Sequence, residues 1–138
     1  MSHTIEFVLY PDALGLDITG PLEVFNTASA MVRQTSGNSS GYKTQFAAAE
    51  KGPVRLSSGL EILADASFGN RPPADFMLVP GGTGVERAVR DRVVVDYIQK
   101  RAKTVKRIVS VCNGAFLLAA AGILDGREAT THWRVADQ

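Results

Sequence analysis

Hydrophobic residues in this chain occur in short continuous runs, separated by polar segments that are rich in glycine and proline. The runs at residues 5–10, 42–49, 76–79 and 105–111 are mostly apolar and have strand length, which predicts buried β-strands. Strands that are apolar on both faces are typical of a parallel sheet covered by helices on both sides. The pattern therefore predicts an α/β fold.

Apolar positions at helical spacing lie between these strands. One set follows Gly20 and Pro21, and it predicts a helix with the proline in its first turn. Residues 85–103 show a second helical pattern, in which Asp91 is placed to cap a helix that restarts there. Helices in these positions would connect consecutive parallel strands.

Shorter features complete the prediction. The apolar residues 114–121 predict a helix that ends at Gly122, and the polar residues 34–41 predict a surface loop. Two short apolar segments within residues 53–63 flank a Ser-Ser-Gly turn and predict a small hairpin. Residues 130–138 have the pattern of a helix that begins near the end of the chain.

Composition limits the classes of protein to be considered. The chain has 138 residues, 45% of them hydrophobic and 21% charged, which suits one globular domain and excludes a disordered tail or a fibre. Its 15 basic and 14 acidic side chains give a net charge of +1, so no overall field would attract nucleic acid. We expect any contact with DNA to be made by another domain.

Cysteine content and the first residues point to a compartment. The single cysteine excludes an intrachain disulfide and a cysteine-cluster zinc site, so we expect a reducing compartment, no metal centre and no cofactor. No basic segment followed by an apolar run is found near residue 1, and the longest apolar stretch is too short to span a bilayer. The expectation is a cytoplasmic protein without a membrane partner.

The cysteine lies in the segment Ser110-Val111-Cys112-Asn113-Gly114, between a predicted strand and a predicted helix. Small residues two positions before and after it suit a tight turn that pushes the central residue into a strained conformation. Such a turn would present the thiol to the amides of the helix N-terminus, which favour a thiolate. The alternative is a buried, inert cysteine.

A glycine-rich segment, Pro80-Gly81-Gly82-Thr83-Gly84, follows another predicted strand. It falls at the carboxyl edge of the sheet, where open α/β folds bind ligands, and its amides could approach an anion closely. The segment lacks the ending of a nucleotide-binding P-loop and the spacing of a dinucleotide fingerprint. A plain tight turn explains it equally well.

Two further residues are candidates for chemistry. Asp17 lies among apolar neighbours, where helix capping is its simplest role, and His132 could act as a base for Cys112 or be structural. The basic and acidic residues mixed within 86–107 indicate a solvated helix face.

Four ordered motifs across nearly the whole chain carry a resemblance to a known family. They are Leu16-Asp17-Ile18-Thr19-Gly20-Pro21, Val79-Pro80-Gly81-Gly82, Val109-Ser110-Val111-Cys112-Asn113-Gly114 and Ala129-Thr130-Thr131-His132-Trp133. Together they resemble the ThiJ/PfpI superfamily, which has the class I glutamine amidotransferase-like fold. The resemblance implies a three-layer α/β/α sandwich of flavodoxin-like type with a mostly parallel sheet.

The resemblance also implies residue roles. Cys112 would be the nucleophile at the turn, Asp17 its carboxylate partner, and the amides of Gly82 and Asn113 the donors to an anion. The other pocket residues that it implies are Gly81, Gly114 and His132. Asn113 departs from the threonine or histidine usual at this position, which weakens the case for peptidase or amidotransferase chemistry.

Two branches of the superfamily are similar to this chain. The segments at residues 20–25 and 52–60 look more like the sensor domain of AraC-type transcriptional regulators, and the motifs shared with isocyanide hydratases leave an enzyme as the alternative. A deglycase-like or chaperone-like member fits less well. The resemblance favours a non-enzymatic sensor of a small molecule or of redox state, acting as a homodimer.

The family pattern normally continues beyond the last motif. We therefore expect residues 1–138 to be an incomplete ThiJ/PfpI-like domain, truncated at its C-terminus, with a helix-turn-helix domain beyond residue 138 in the regulator. DNA would be contacted only through that absent domain.

Overall fold

The computed structural model of the protein describes residues 2–36 and 41–138. Its centre is a five-stranded sheet in the order β5-β2-β1-β6-β7, and all of its strand pairs are parallel. In chain order the strands are β1 (Ser2–Val8), β2 (Gly41–Ala48), β3 (Gly52–Arg55), β4 (Glu61–Ala64), β5 (Ala66–Ser67), β6 (Phe76–Val79) and β7 (Arg107–Ser110). β3 and β4 form the predicted hairpin as a separate antiparallel pair.

The helices cover the two faces of the sheet. They are α1 (Gly15–Ser36), α2 (Val85–Ala88), α3 (Arg92–Ala102) and α4 (Ala115–Ala120), with single 3-10 turns at Cys112–Gly114 and Trp133–Val135. Successive β1 side chains point to opposite faces, so Glu6 faces α3 while Ile5 faces the side of the sheet on which Phe25 of α1 lies. The predicted sandwich with a parallel sheet is confirmed.

Local signals placed several boundaries correctly. Asp91 caps α3 by accepting a hydrogen bond from the Val93 N–H at 2.9 Å, as predicted. Gly122, with φ of +71°, follows α4 in the left-handed conformation that ends helices. These caps depend on neighbouring residues alone, which is why the sequence shows them.

The start of α1 differs from the prediction. The helix begins at Gly15, so Pro21 lies in its interior and the carbonyl of Asp17 lacks the N–H partner that another residue would provide. A contact with a distant segment fixes this early start, because the Leu14 N–H donates to the carbonyl of Gly81 at 2.8 Å. The prediction was wrong because the spacing of apolar residues gives no information about a contact between distant parts of the chain.

The end of α1 also extends further than predicted. Residues 34–36 are helical, and the hydroxyls of Thr35 and Ser36 donate to carbonyls one turn earlier. The polar composition had indicated a loop over 34–41; Gly41 already belongs to β2, and residues 37–40 lie outside the described residues.

The charged segment over residues 86–107 is not entirely the solvated helix face that was predicted. Arg101 of α3 is 4% exposed, and its guanidinium forms two hydrogen bonds with the fully buried carboxylate of Glu6. Tyr97, one turn before Arg101, donates its hydroxyl to the same carboxylate. The pattern missed this cluster because its acidic member lies on β1.

The last part of the chain forms less helix than predicted. Residues 130–138 contain a single 3-10 turn at Trp133–Val135, and Trp133 is 78% exposed. Because these residues bury little apolar surface, tertiary packing does not stabilise a longer helix here. Among residues 2–36 and 41–138, no helix combines the length and the apolarity that crossing a bilayer requires.

Candidate functional site

Cys112 lies where β7 gives way to α4, at the carboxyl edge of the sheet. Its φ of +55° is unusual for a residue with a side chain, and it turns the backbone sharply into the 3-10 turn before α4. The thiol is free and partly exposed. The strand, the turn and the helix therefore follow one another at the cysteine in the predicted order.

Gly114 allows this turn to approach the end of β6. A Cβ at this position would come within 3 Å of the carbonyl oxygens of Val79 and Pro80, so a larger residue would push the turn away. Gly114 is buried, and it lies where the turn packs against the end of β6.

The N–H and the carbonyl of Gly81 form hydrogen bonds with three other residues. Its N–H donates to Oδ2 of Asp17 at 2.9 Å, and its carbonyl accepts from the N–H of Leu14 at 2.8 Å. The hydroxyl of Tyr10 donates to the carbonyl of Pro80 at 2.6 Å and to that of Gly81 at 3.1 Å. Residues from the end of β1, the start of α1 and the end of β6 are thus tied together beside Cys112.

The neighbouring peptide of Gly82 is held by Asn113. Its N–H donates to Oδ1 of Asn113 at 2.7 Å, and its carbonyl accepts from Nδ2 of Asn113 at 3.2 Å. Gly82 has φ of +123°, a conformation that side-chain-bearing residues rarely adopt. The amide that was expected to bind an anion is therefore already bonded to a side chain of the protein.

Burial and charge together shape the electrostatics of the site. Burial raises the pKa of the Asp17 carboxyl, while the Gly81 N–H, the charge of His132 and a hydrogen bond with the Cys112 thiol oppose this rise. Burial also raises the pKa of Tyr10, and the nearby Asp17 and Cys112 add to that effect. Tyr10 consequently remains a hydrogen-bond donor at physiological pH.

A cavity of about 470 Å³ opens at this edge of the sheet. Three predicted pocket residues besides Cys112 line it, namely Gly82, Asn113 and His132. Asp17, Gly81 and Gly114 are not among the lining residues, and they act on the cavity through the contacts given above. The remaining lining residues are Leu14, Ser57, Thr83, Glu86, Arg134 and Val135.

The segment after α4 forms one wall of this cavity. The hydroxyl of Thr131 donates to the carbonyl of Cys112 at 3.2 Å, and Nδ1 of His132 accepts from the N–H of Arg134 at 3.2 Å. His132 thus lines the same cavity as Cys112, and its charge acts on Asp17. Its predicted role as a base remains a prediction.

Sequence reasoning did not select several residues of the site. Tyr10 ends the first apolar run, so its position at the carboxyl edge could have identified it. Glu86 and Arg134 carry no comparable local signal, because only the folded chain brings them to the cavity.

Two other features bear on ligands. A second cavity of about 490 Å³ lies on the α1 side of the sheet, lined largely by apolar residues such as Phe25, Phe76 and Val109, away from Cys112. Across the described parts of the chain, no three His, Cys, Asp or Glu side chains group as metal ligands would.

These observations define an α/β sandwich protein whose candidate site lies at the carboxyl edge of a parallel sheet, around a cysteine at a strand-to-helix turn. The model of the DJ-1/PfpI family matches residues 3–138, and the chain belongs to this family. The resemblance inferred from the four motifs is thereby confirmed.

Known relatives include both an enzyme and a regulator. The chain is 33% identical over 137 residues to the isonitrile hydratase of Pseudomonas putida, covering 99% of this chain and 55% of the hydratase. It is 34% identical over 128 residues to the HTH-type transcriptional regulator GbdR of Pseudomonas aeruginosa, covering 89% of this chain and 34% of the regulator. The chain thus spans about half the length of the one and a third of the other.

A solved structure shows the same fold. A ThiJ/PfpI family protein from Pseudomonas syringae superposes with a TM-score of 0.81 at 31% identity, covering 99% of this chain and 53% of the other.

Proposed function

We propose that this chain is the sensing domain of an AraC-type transcriptional regulator, and that a small-molecule effector binds in the cavity beside Cys112. The supporting observation is that two amides of the glycine-rich segment beside the cysteine are engaged internally. The Gly81 N–H is bonded to Asp17 and the Gly82 N–H to Asn113. Stabilising an oxyanion requires amide donors aimed at the reacting oxygen, so this arrangement favours binding over turnover.

The proposal assigns DNA contacts to another part of the regulator. The net charge of +1 offers no general attraction for a phosphate backbone, and GbdR carries most of its length outside the matched region. The chain alone should therefore give no sequence-specific mobility shift with operator DNA in moderate salt. A specific shift would contradict this assignment.

We further propose that the domain acts in the cytoplasm as a homodimer. Leu16, Val24 and Met31 of α1 are 71%, 65% and 61% exposed, and their spacing keeps them near one side of the helix. Val24→Glu should shift the chain from dimer to monomer in light scattering, whereas Asn26→Glu, at an exposed position on another side of the same helix, should not. A wild-type chain that is monomeric at high concentration would contradict the proposal.

Thermal unfolding tests the effector site. We would screen amino acids, amides, amines and small carboxylic acids for compounds that raise the melting temperature. Thr83→Trp adds bulk at the lining of the cavity and should abolish the increase, while Thr27→Trp on exposed α1 should retain it. An increase that survives Thr83→Trp would place the effector elsewhere.

A cysteine-dependent hydratase of the isonitrile hydratase type is the alternative. The observation in its favour is Cys112 at positive φ in a cavity that also contains His132, together with the 33% identity to the hydratase. Such an enzyme adds water to an isonitrile and gives an N-substituted formamide. Turnover of cyclohexyl isonitrile that Cys112→Ala abolishes would favour the enzyme, and the sensor proposal expects no turnover.

A further inference from the structure

We propose that Asn113 determines the charge preference of the Cys112 cavity, because its side chain closes the Gly82 N–H to anionic ligands. The inference rests on the proposed function, since it concerns the ligand of the same cavity. It assigns an uncharged group to the part of the ligand that lies beside Cys112 and Gly82.

The argument begins with the two-point contact between Asn113 and Gly82. Oδ1 accepts from the Gly82 N–H at 2.7 Å, and Nδ2 donates to the Gly82 carbonyl at 3.2 Å, so one side chain satisfies both polar groups of the residue. A carboxylate could replace only the first bond. It would also face the Gly82 carbonyl oxygen, which would have lost its donor, and such a loss is costly in a partly buried site.

The surroundings of this contact also disfavour a negative charge. Gly81 adjoins the Asn113 side chain, and its N–H is bonded to Oδ2 of Asp17. An anion at Gly82 would add a second charge near the buried carboxyl of Asp17, whose ionisation burial already disfavours. Among the other lining residues, the basic side chains of His132 and Arg134 favour an anion, and the acidic side chain of Glu86 disfavours it. The proposed selection against anions therefore acts beside Gly82.

Alkylation of Cys112 tests the proposal directly, because the chain has a single cysteine. Iodoacetamide and iodoacetate undergo the same reaction: the sulfur bonds to the methylene carbon, iodide leaves with the bonding electrons, and the thiol proton passes to solvent. The reagents differ in the carboxylate of iodoacetate. The ratio of their alkylation rates therefore measures how strongly the cavity favours or disfavours an anion beside Cys112.

Removing the Asn113 side chain should open the Gly82 amide to the anionic reagent. We expect Asn113→Ala to raise the iodoacetate-to-iodoacetamide rate ratio about tenfold, as one freed donor to a charged group would. Asn113→Ser, whose hydroxyl cannot span both atoms of Gly82, should raise it in the same direction. Asn26→Ala, on the exposed face of α1, should leave the ratio at the wild-type value. A wild-type ratio in both Asn113 variants would overturn the proposal.

A second measurement has an arm that uses the wild-type protein alone, and this arm does not depend on the variants being folded. In wild-type protein, the Gly82 amide resonance should not move when acetate is added, whereas in a folded Asn113→Ala protein it should move and saturate. A saturating shift in wild type would overturn the proposal by itself. Neither measurement uses an effector or DNA, so failure of the sensor function and failure of this inference can be told apart.

Discussion

The guanidinium of Arg101 on α3 bonds both oxygens of the Glu6 carboxylate on β1, with Nε at 2.9 Å from Oε1 and the terminal nitrogen at 2.7 Å from Oε2. Glu6 is fully buried and Arg101 nearly so. The same terminal nitrogen of Arg101 also donates to the carbonyl of Pro72 at 2.8 Å. This ion pair therefore connects the central strand, a covering helix and the segment before β6.

Breaking this pair should be severely destabilising. Arg101→Ala leaves a buried carboxylate without its counter-charge, which lowers the free energy of unfolding by about 3–5 kcal/mol. The double variant Glu6→Leu with Arg101→Met removes both charges and should recover most of that loss. Urea denaturation of the three proteins measures both effects. A single variant within about 1 kcal/mol of wild type would mean that water reaches Glu6.

Gly81 should not tolerate a side chain. A Cβ there would overlap Oδ1 of Asn113 and approach Asp17, so Gly81→Ala should cost about 1–3 kcal/mol of unfolding free energy. Gly69→Ala is the matched control, because a Cβ at Gly69 meets no atom within 4 Å and φ is not positive. That control should stay within about 0.5 kcal/mol of wild type in the same denaturation measurement. Equal effects of the two substitutions would contradict the close contact.

Asp17 should make stability depend on pH. Its pKa is raised in the folded protein, chiefly by burial, so the folded state keeps this proton to a higher pH than the unfolded chain does. Between the ordinary carboxyl pKa and the raised value, unfolding releases protons and stability falls as pH rises. Asp17→Asn cannot ionise, and its stability relative to wild type should therefore increase from pH 4 to pH 7.

Urea denaturation at several pH values measures this dependence. Asn26→Ala introduces no titrating group, so its difference from wild type should be constant across the range. An Asp17→Asn difference that is equally constant would show that the carboxyl pKa does not change on folding.

At position 112, the backbone conformation should make a glycine variant more stable than an alanine variant, which is the reverse of the usual order. At φ of +55° a side chain is strained and glycine is not, so Cys112→Gly should be more stable than Cys112→Ala by about 1 kcal/mol. At Ala119, within α4, the change to glycine should instead cost about 1 kcal/mol. Thermal or urea unfolding compares the pairs, and a less stable glycine at position 112 would contradict a strained turn.

The reactivity of Cys112 should depend on Asp17. The Cys112 thiol is one of the groups that act on the Asp17 carboxyl, so the two side chains are close enough to influence each other. Asp17→Ala should therefore change the rate at which Cys112 is alkylated. Mass spectrometry across pH measures it; identical profiles for both proteins would remove Asp17 from the site.

Sequence patterns predicted the sheet well because parallel strands are buried on both faces and therefore appear as continuous apolar runs. They also placed Cys112 and Gly82 at one edge, since strands of a parallel sheet share a carboxyl end. The sequence patterns did not predict contacts between residues that are distant in the chain. The early start of α1 depends on Gly81, and the burial of Arg101 depends on Glu6, 95 residues away.

The same distinction applies within the site. The identity of Asn113 was visible as a departure from the family pattern, but its two hydrogen bonds to Gly82 depend on how β6 and β7 are aligned. Tyr10 likewise reaches Pro80 only in the folded sheet. Residue types can therefore be read from the chain, whereas the partner of each polar atom is decided by tertiary structure.

The central position of β1 has a consequence for biosynthesis. β1 is made before the other strands of this sheet, yet one of its edges stays unpaired until β6 is made, about 70 residues later. At roughly 5–20 residues per second, the apolar first strand spends on the order of ten seconds without that neighbour. During this interval the nascent chain presents an unpaired strand edge. Among the strand edges that are paired in the folded sheet, the edge of β1 that later meets β6 is the one exposed longest to association with other chains.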